Sequence, residues 1–231
     1  MQPLRYLYRD EYLVAIDKPA GMIVHAGRDE EGPEWIAMKR VRDEVGHEVH
    51  VVHRLDRPTS GVLLFALDRK TCALIQQIFE LRRVQKSYLA VVEGAAPLQW
   101  VCDTPLRKSP EEPLLHAETA FERQLHAGAG SFGAMPGLEL SLLEAKPHTG
   151  RYHQIRRHLQ MTGHAIVGDY RYAGAERCNE LGELLGTGTR MLLQAKALEL
   201  EHPYSGEMLR IEAPADPDFC RCFPSLELEV A

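Results

Sequence analysis

Residues 53–61 read HRLDRPTSG and set one carboxylate, Asp56, between Arg54 and Arg57 before the chain turns through Pro58 and Gly61. Asp56 is the only acid between Glu48 and Asp68. Cations this close favour its ionised form. An ionised carboxylate with no competing acid nearby can act as a nucleophile or a base. The same residues would equally make an ion pair that pins a loop, and from this segment alone both readings stand.

Two further clusters are cationic. No acid occurs between Glu144 and Asp169, yet Lys146, Arg151, Arg156 and Arg157 lie there with His148, His153, His158 and His164. Helical spacing across RYHQIRRHLQMTG places Tyr152 and Arg156 on one face and Ile155 and Leu159 on the next. Arginine's planar fork suits phosphate or carboxylate, and an acid-free run of this kind suits an anionic partner better than a merely solvated face. The other cluster is Arg82, Arg83, Lys86 and Tyr88, acid-free from Leu81 to Val92. A tyrosine among cations can stack on a base or simply fill a core.

Metals and nucleotide cofactors find little support. His148, His153 and His158 recur at steps of five, which does not aim imidazoles together on a helix, and the i,i+4 pair with an intervening glutamate is missing. Cys220 and Cys222 form a lone C-x-C without a second pair. Neither G-x-x-x-x-G-K-[ST] nor G-x-G-x-x-G at a strand–helix junction occurs. HRLD is similar to the H-R-D of the kinase catalytic loop, but a kinase's glycine loop ahead of it and D-F-G are missing.

These groups must be positioned by 231 residues, 45% apolar and 26% charged, with a net charge of −6. Such a chain can bury a sizeable core, and any nucleic-acid binding must come from a local basic face. Five scattered cysteines suit a reducing compartment. No apolar run reaches the ~18 residues of a membrane span, and the opening MQPLRYLYRDEYL lacks the apolar stretch of a signal peptide. A cytosolic protein is expected. Strands are expected at 12–16, 47–53, 62–67, 87–92, 117–125, 138–145, 191–200 and 207–213. Helices are expected at 34–45, after an Asp68 cap, and across 151–163. The stretch 95–137 reads as an irregular excursion of the sheet, and 182–188 as a glycine-rich loop. Strands outnumber helices without regular crossovers, which predicts an α+β fold on a mixed, largely antiparallel sheet flanked by helices.

HRLDRPTSGVLLFA resembles the active-site signature of the RluA-like pseudouridine synthases. KPAG at 18–21 followed by His25, KSY at 86–88, TGRYHQIRRHL at 149–159 and IVGDYRY at 166–172 resemble that family's other stations, in the same order. The likeness runs over roughly 10–213. It implies a single pseudouridine-synthase catalytic domain over 1–231 that isomerises uridine in RNA without cofactor or metal. In that reading Asp56 attacks the ribose or the base, Tyr88 packs on the flipped uracil and takes part in proton removal, and Arg156 pairs with Asp56 and orients it. Arg54, Arg57, Lys86, Arg151 and Arg157 are then the candidates for RNA contacts, because a base drawn from its stack costs a few kcal/mol that phosphate contacts offset. The proline of HRLDRPTSG and the doubled arginine of HQIRRH are most similar to the subgroup acting on uridine 65 in the T stem of tRNA. A ribosomal-RNA synthase and a non-catalytic RNA-binding protein on the same scaffold are the rivals. Two departures bear on the target: Leu193-Gln194-Ala195 stands where the family has LHA, and the 95–137 excursion is short. With its first strand at about residue 12, the chain is expected to carry no S4-type module before the domain, and to act as a monomer away from membranes.

Overall fold

The computed structural model describes residues 3–25, 32 and 35–229. The chain divides into two compact units, residues 1–86 with 195–213 and residues 87–194 with 214–231.

In the first unit, strands β1 (Arg5–Arg9), β2 (Leu13–Lys18) and β4 (Ser60–Ala66) pair antiparallel in that order, and the two-residue β3 (His50–Val51) also pairs with β4. The part of β9 (Leu193–Glu201) in this unit follows β4, and β10 (Met208–Glu212) pairs antiparallel with β9. SGVLLFA is a continuous apolar run because every residue of β4 is buried, so both faces of the strand are covered. Helix α2 (Arg69–Glu80) starts where Asp68 accepts from the Thr71 amide at 2.9 Å. Its Cys72 and Ile75 meet Leu13, Ala15, Val62, Leu64, Leu198 and Leu200 in one core. Helix α1 (Ala37–Val45) begins later than the expected residue 34, which lies outside the described residues.

In the second unit, β5 (Gln85–Glu93, from Ser87), β8 (Leu140–Pro147), β7 (Thr119–Ala127) and β6 (Gln99–Cys102) lie in that order, paired antiparallel. LELSLLEA alternates so that Leu138, Leu140 and Leu142 pack with Leu181 and Phe219, while Leu143 and Ala145 pack with Ile155 and Leu159. Helices therefore cover both faces. Helix α3 spans Gln154–Met161, α4 Ala175–Leu184 and α5 Pro217–Cys222.

The fold is α+β and largely antiparallel, with an isolated parallel bridge between Ile23 and Ile36. Four expectations need correction. The first strand is β1, not one at residue 12, and its mixed burial explains its weak sequence signal. The excursion 95–137 holds two strands, β6 as well as β7. Helix α4 precedes the glycine-rich loop, its pattern interrupted by Gly182. Tyr152 lies in the turn before α3, so it shares no helical face with Arg156. Among the described residues, no helix is long and apolar enough to cross a membrane.

Candidate active site

The loop carrying Asp56 leaves β3 and enters β4, and main-chain bonds give it its shape. Thr59 N donates to Asp56 O at 3.1 Å, closing a turn through Pro58. Leu55, 7% exposed, drives the loop's middle into the core. Lys18 is fully buried, and its ammonium donates to the carbonyls of Pro19, Met22 and Arg57 at 3.0, 2.8 and 3.2 Å. A buried cation is tolerable when its three protons are met in this way. Gly21 N donates to Arg57 O at 2.8 Å and Arg57 Nε returns to Gly21 O at 3.1 Å. KPAG is thus the clasp of the acid loop. Gly61 takes φ +101, and a Cβ there would collide with the Ala195 carbonyl, so no larger residue fits as the loop closes.

His53 Nε2 accepts from Leu64 N at 3.0 Å, and its ring stacks on Phe79. Burial, followed by the charge of Lys86, pushes its pKa down to about 4, so it is a neutral imidazole carrying its proton on Nδ1. Burial and then Arg82 lower the pKa of Lys86. Asp56 is part-buried and Arg54 is exposed. Arg54 makes no hydrogen bond or ion pair among the described residues.

In the second unit, part-buried Tyr88 sits on β5 opposite Ala145 and packs against the core that holds Ile155 and Leu159. The turn into α3 is built by side chains. His153 precedes the helix at φ 52, the left-handed region that a non-glycine residue rarely takes. Gln154, 4% exposed, receives Thr149 Oγ1 and Arg151 N on its oxygen at 2.6 and 3.0 Å, and donates to Glu118 O and Thr119 Oγ1, each at 2.9 Å. Arg156 is 6% exposed and Asp169 1%. Their pairing is bidentate: Nε to Oδ2 at 2.7 Å and Nη2 to Oδ1 at 2.8 Å. The guanidinium also lies over the Tyr172 ring, 5.1 Å from its centroid.

Residues 12–161 match the RNA pseudouridylate synthase family. The chain belongs to that family. It is 35% identical to tRNA pseudouridine synthase C of Vibrio parahaemolyticus, covering 97% of this chain and 95% of that protein. The Haemophilus ducreyi protein of the same name is 34% identical over 95% and 94%. The Pectobacterium carotovorum one is 36% identical over 92% of this chain, which spans 59% of that relative's length. In fold the chain is similar to human RNA Pseudouridylate Synthase Domain Containing 4, with a TM-score of 0.74 at 25% identity over 96% and 93% of the two chains.

Within this synthase frame the basic candidates separate. Arg54 presents an exposed guanidinium, whereas Arg57 spends Nε on Gly21 O. Arg151 Nε donates to His116 O at 3.0 Å and Arg157 Nη1 to Arg107 O at 2.7 Å, so the first fastens the excursion to the turn before α3 and the second to α3 itself. His158 bridges Thr119 Oγ1 and Thr104 O, each at 3.0 Å, and burial lowers its pKa; it is a structural strut. Sequence reasoning missed the tasks of Lys18, Gln154 and Asp169. Asp169 stood inside a motif already singled out, IVGDYRY, as the first acid after a long cationic run. That it would meet a cation was legible from charge alone, but not which one. Among the described residues no cluster of three or more His, Cys, Asp or Glu could hold a metal ion.

Proposed function

We propose that this chain converts a uridine of tRNA, uridine 65 in the T stem, to pseudouridine. The observation that carries the reading is the likeness, over nearly the full length of both chains, to relatives named tRNA pseudouridine synthase C. Asp56 is the nucleophile: its carboxylate bonds to the ribose or the base, the C1′–N1 bond breaks, the uracil turns, a C1′–C5 bond forms, and the bond to Asp56 is released. The C5 proton leaves and N1 gains one, so product and substrate are isomers and no redox partner is needed. Tyr88 packs on the uracil. Arg156, fixed by Asp169 through Nε and Nη2, orients Asp56 with its remaining N–H donors, which an ammonium held by the same carboxylate would lack. Arg54, Arg57, Lys86, Arg151 and Arg157 meet the RNA, and no metal or cofactor takes part. The family match crosses the boundary at Lys86, which supports reading both units as one catalytic domain. The enzyme works as a cytoplasmic monomer.

The experiment is tritium release from tRNA labelled at C5 of uridine. Asp56→Asn loses turnover while its RNA affinity stays within about tenfold; turnover near wild type would remove Asp56 from the mechanism. Mapping pseudouridine in total RNA with and without the protein separates tRNA from ribosomal RNA as the target.

A further inference from the structure

The turn before α3 carries an exposed aromatic stack that the reaction above leaves unused. Tyr152 is 39% exposed, and its ring lies on His153 with centroids 3.7 Å apart and planes 20° apart. His153 is itself fixed, by its left-handed backbone, by an Nδ1–Tyr172 Oη bond of 3.0 Å, and by edge-on contact with the Tyr172 ring. The exposed Arg171 guanidinium stands 5.9 Å from the ring centroids of both Tyr152 and Tyr172. No carboxylate pairs with Arg171 among the described residues. The charge around the stack is one-sided: residues 145–168 contain no acid, and Asp169, the next one, is taken up by Arg156.

We propose that Tyr152, backed by His153 and edged by Arg171, is a stacking shelf for one nucleobase of the RNA other than the uridine being isomerised. An outward ring already held by its neighbour loses little freedom when a base lands on it. Every base offers a π-face, and a cation at the rim can take the adjoining phosphate. The shelf shares Tyr172 with Arg156, which places it beside that arginine. The inference rests on the RNA substrate proposed above and adds a subsite to it.

Binding and chemistry are measured separately, as the dissociation constant for C5-tritiated tRNA and as the single-turnover rate at saturating enzyme. Tyr152→Ala weakens binding roughly 5- to 150-fold, the range of one lost base stack, while the saturated rate stays within about twofold. Tyr152→Phe and Tyr152→Trp restore affinity, because the stack needs a ring and not a hydroxyl. Arg171→Ala weakens binding and lowers the salt slope by about one ion. Wild-type affinity in Tyr152→Ala overturns the shelf. So does a fall in its saturated rate and melting temperature without a binding change, which would make the ring a structural prop. Wild-type protein that binds tRNA but releases no tritium would overturn the proposed reaction instead, and a binding loss in Tyr152→Ala would then still uphold the shelf.

Discussion

The acid loop at 52–61 and the turn at 148–154 both hold functional candidates, and they are held by different means. Around Asp56 the fixing bonds run to main-chain carbonyls: Lys18 to three of them, Gly21 and Arg57 to each other. Around Arg156 side chains also bond one another, Gln154 with two threonines and Arg156 with Asp169, while Gln154 keeps two main-chain partners, Arg151 N and Glu118 O. A backbone clasp sets the path of a loop whatever side chains it carries, so a residue such as Arg54 can point outward at little cost. A side-chain network fixes one group's orientation and fails when any member changes.

The largest effect should follow from breaking that network. Asp169→Asn keeps the shape but removes the charge that meets both guanidinium donors, and breaking a buried pair of this kind costs about 3–5 kcal/mol. Arg156→Lys should cost a similar amount, since a point ammonium cannot satisfy two carboxylate oxygens at once. The two changes combined should cost less than their sum. Denaturant unfolding measures all three, and a loss below about 1 kcal/mol in either single variant would mean the pair is not what holds Arg156.

The acid loop should show its own weakness through pH. His53 accepts the Leu64 amide as a neutral ring, with its folded pKa pushed from 6.5 to about 4. Between those values the unfolded chain binds a proton that the folded chain refuses. The contribution is therefore complete above pH 6.5 and is lost as the pH falls towards 4, by about 3 kcal/mol at most. His53→Gln keeps an acceptor for Leu64 without the titration, so its stability profile should be flatter across that window. Parallel profiles for the two proteins would show that His53 protonates without consequence.

This contrast also marks what the sequence could disclose. Asp56 is conspicuous as a lone acid among cations, whereas Tyr88 and Arg156 are picked out from their cationic surroundings by the family resemblance. Strands β4 and β8 and helix α2 follow from apolar periodicity and an aspartate cap. Strand β1 escaped because none of its residues is fully buried, and α4 because Gly182 breaks its pattern. Lys18 could not be read as a clasp, because its three acceptors are carbonyls, which every residue carries. The partners of Arg151 and Arg157 were hidden for the same reason. Asp169 was nearer to hand, but choosing Arg156 as its partner over Arg151 or Arg157 needs the position of the 166–172 turn.

The smallest effect tests whether a main-chain clasp also operates in the second unit. Arg157 Nη1 donates to Arg107 O, at the base of a narrow hairpin where Leu106 and Leu115 exchange two backbone bonds of 2.9 Å. Sequence spacing suggested a phosphate ligand there, and the structure adds a strap. Arg157→Ala should loosen the hairpin by about 1 kcal/mol, the usual worth of one such bond. The Leu106 and Leu115 amides should then exchange with solvent roughly fivefold faster. If the same arginine also neutralises a phosphate, the salt slope of tRNA binding falls by about one. Arg157→Lys separates the two tasks, since it keeps the charge but shortens the reach to Arg107 O. Faster exchange with an unchanged salt slope in Arg157→Ala would leave it a strap alone. An unchanged exchange rate would pass the strapping role to His158 on Thr104 O and Arg151 on His116 O. Arg157 would then resemble Arg54, a cation whose backbone is fixed and whose charge faces outward.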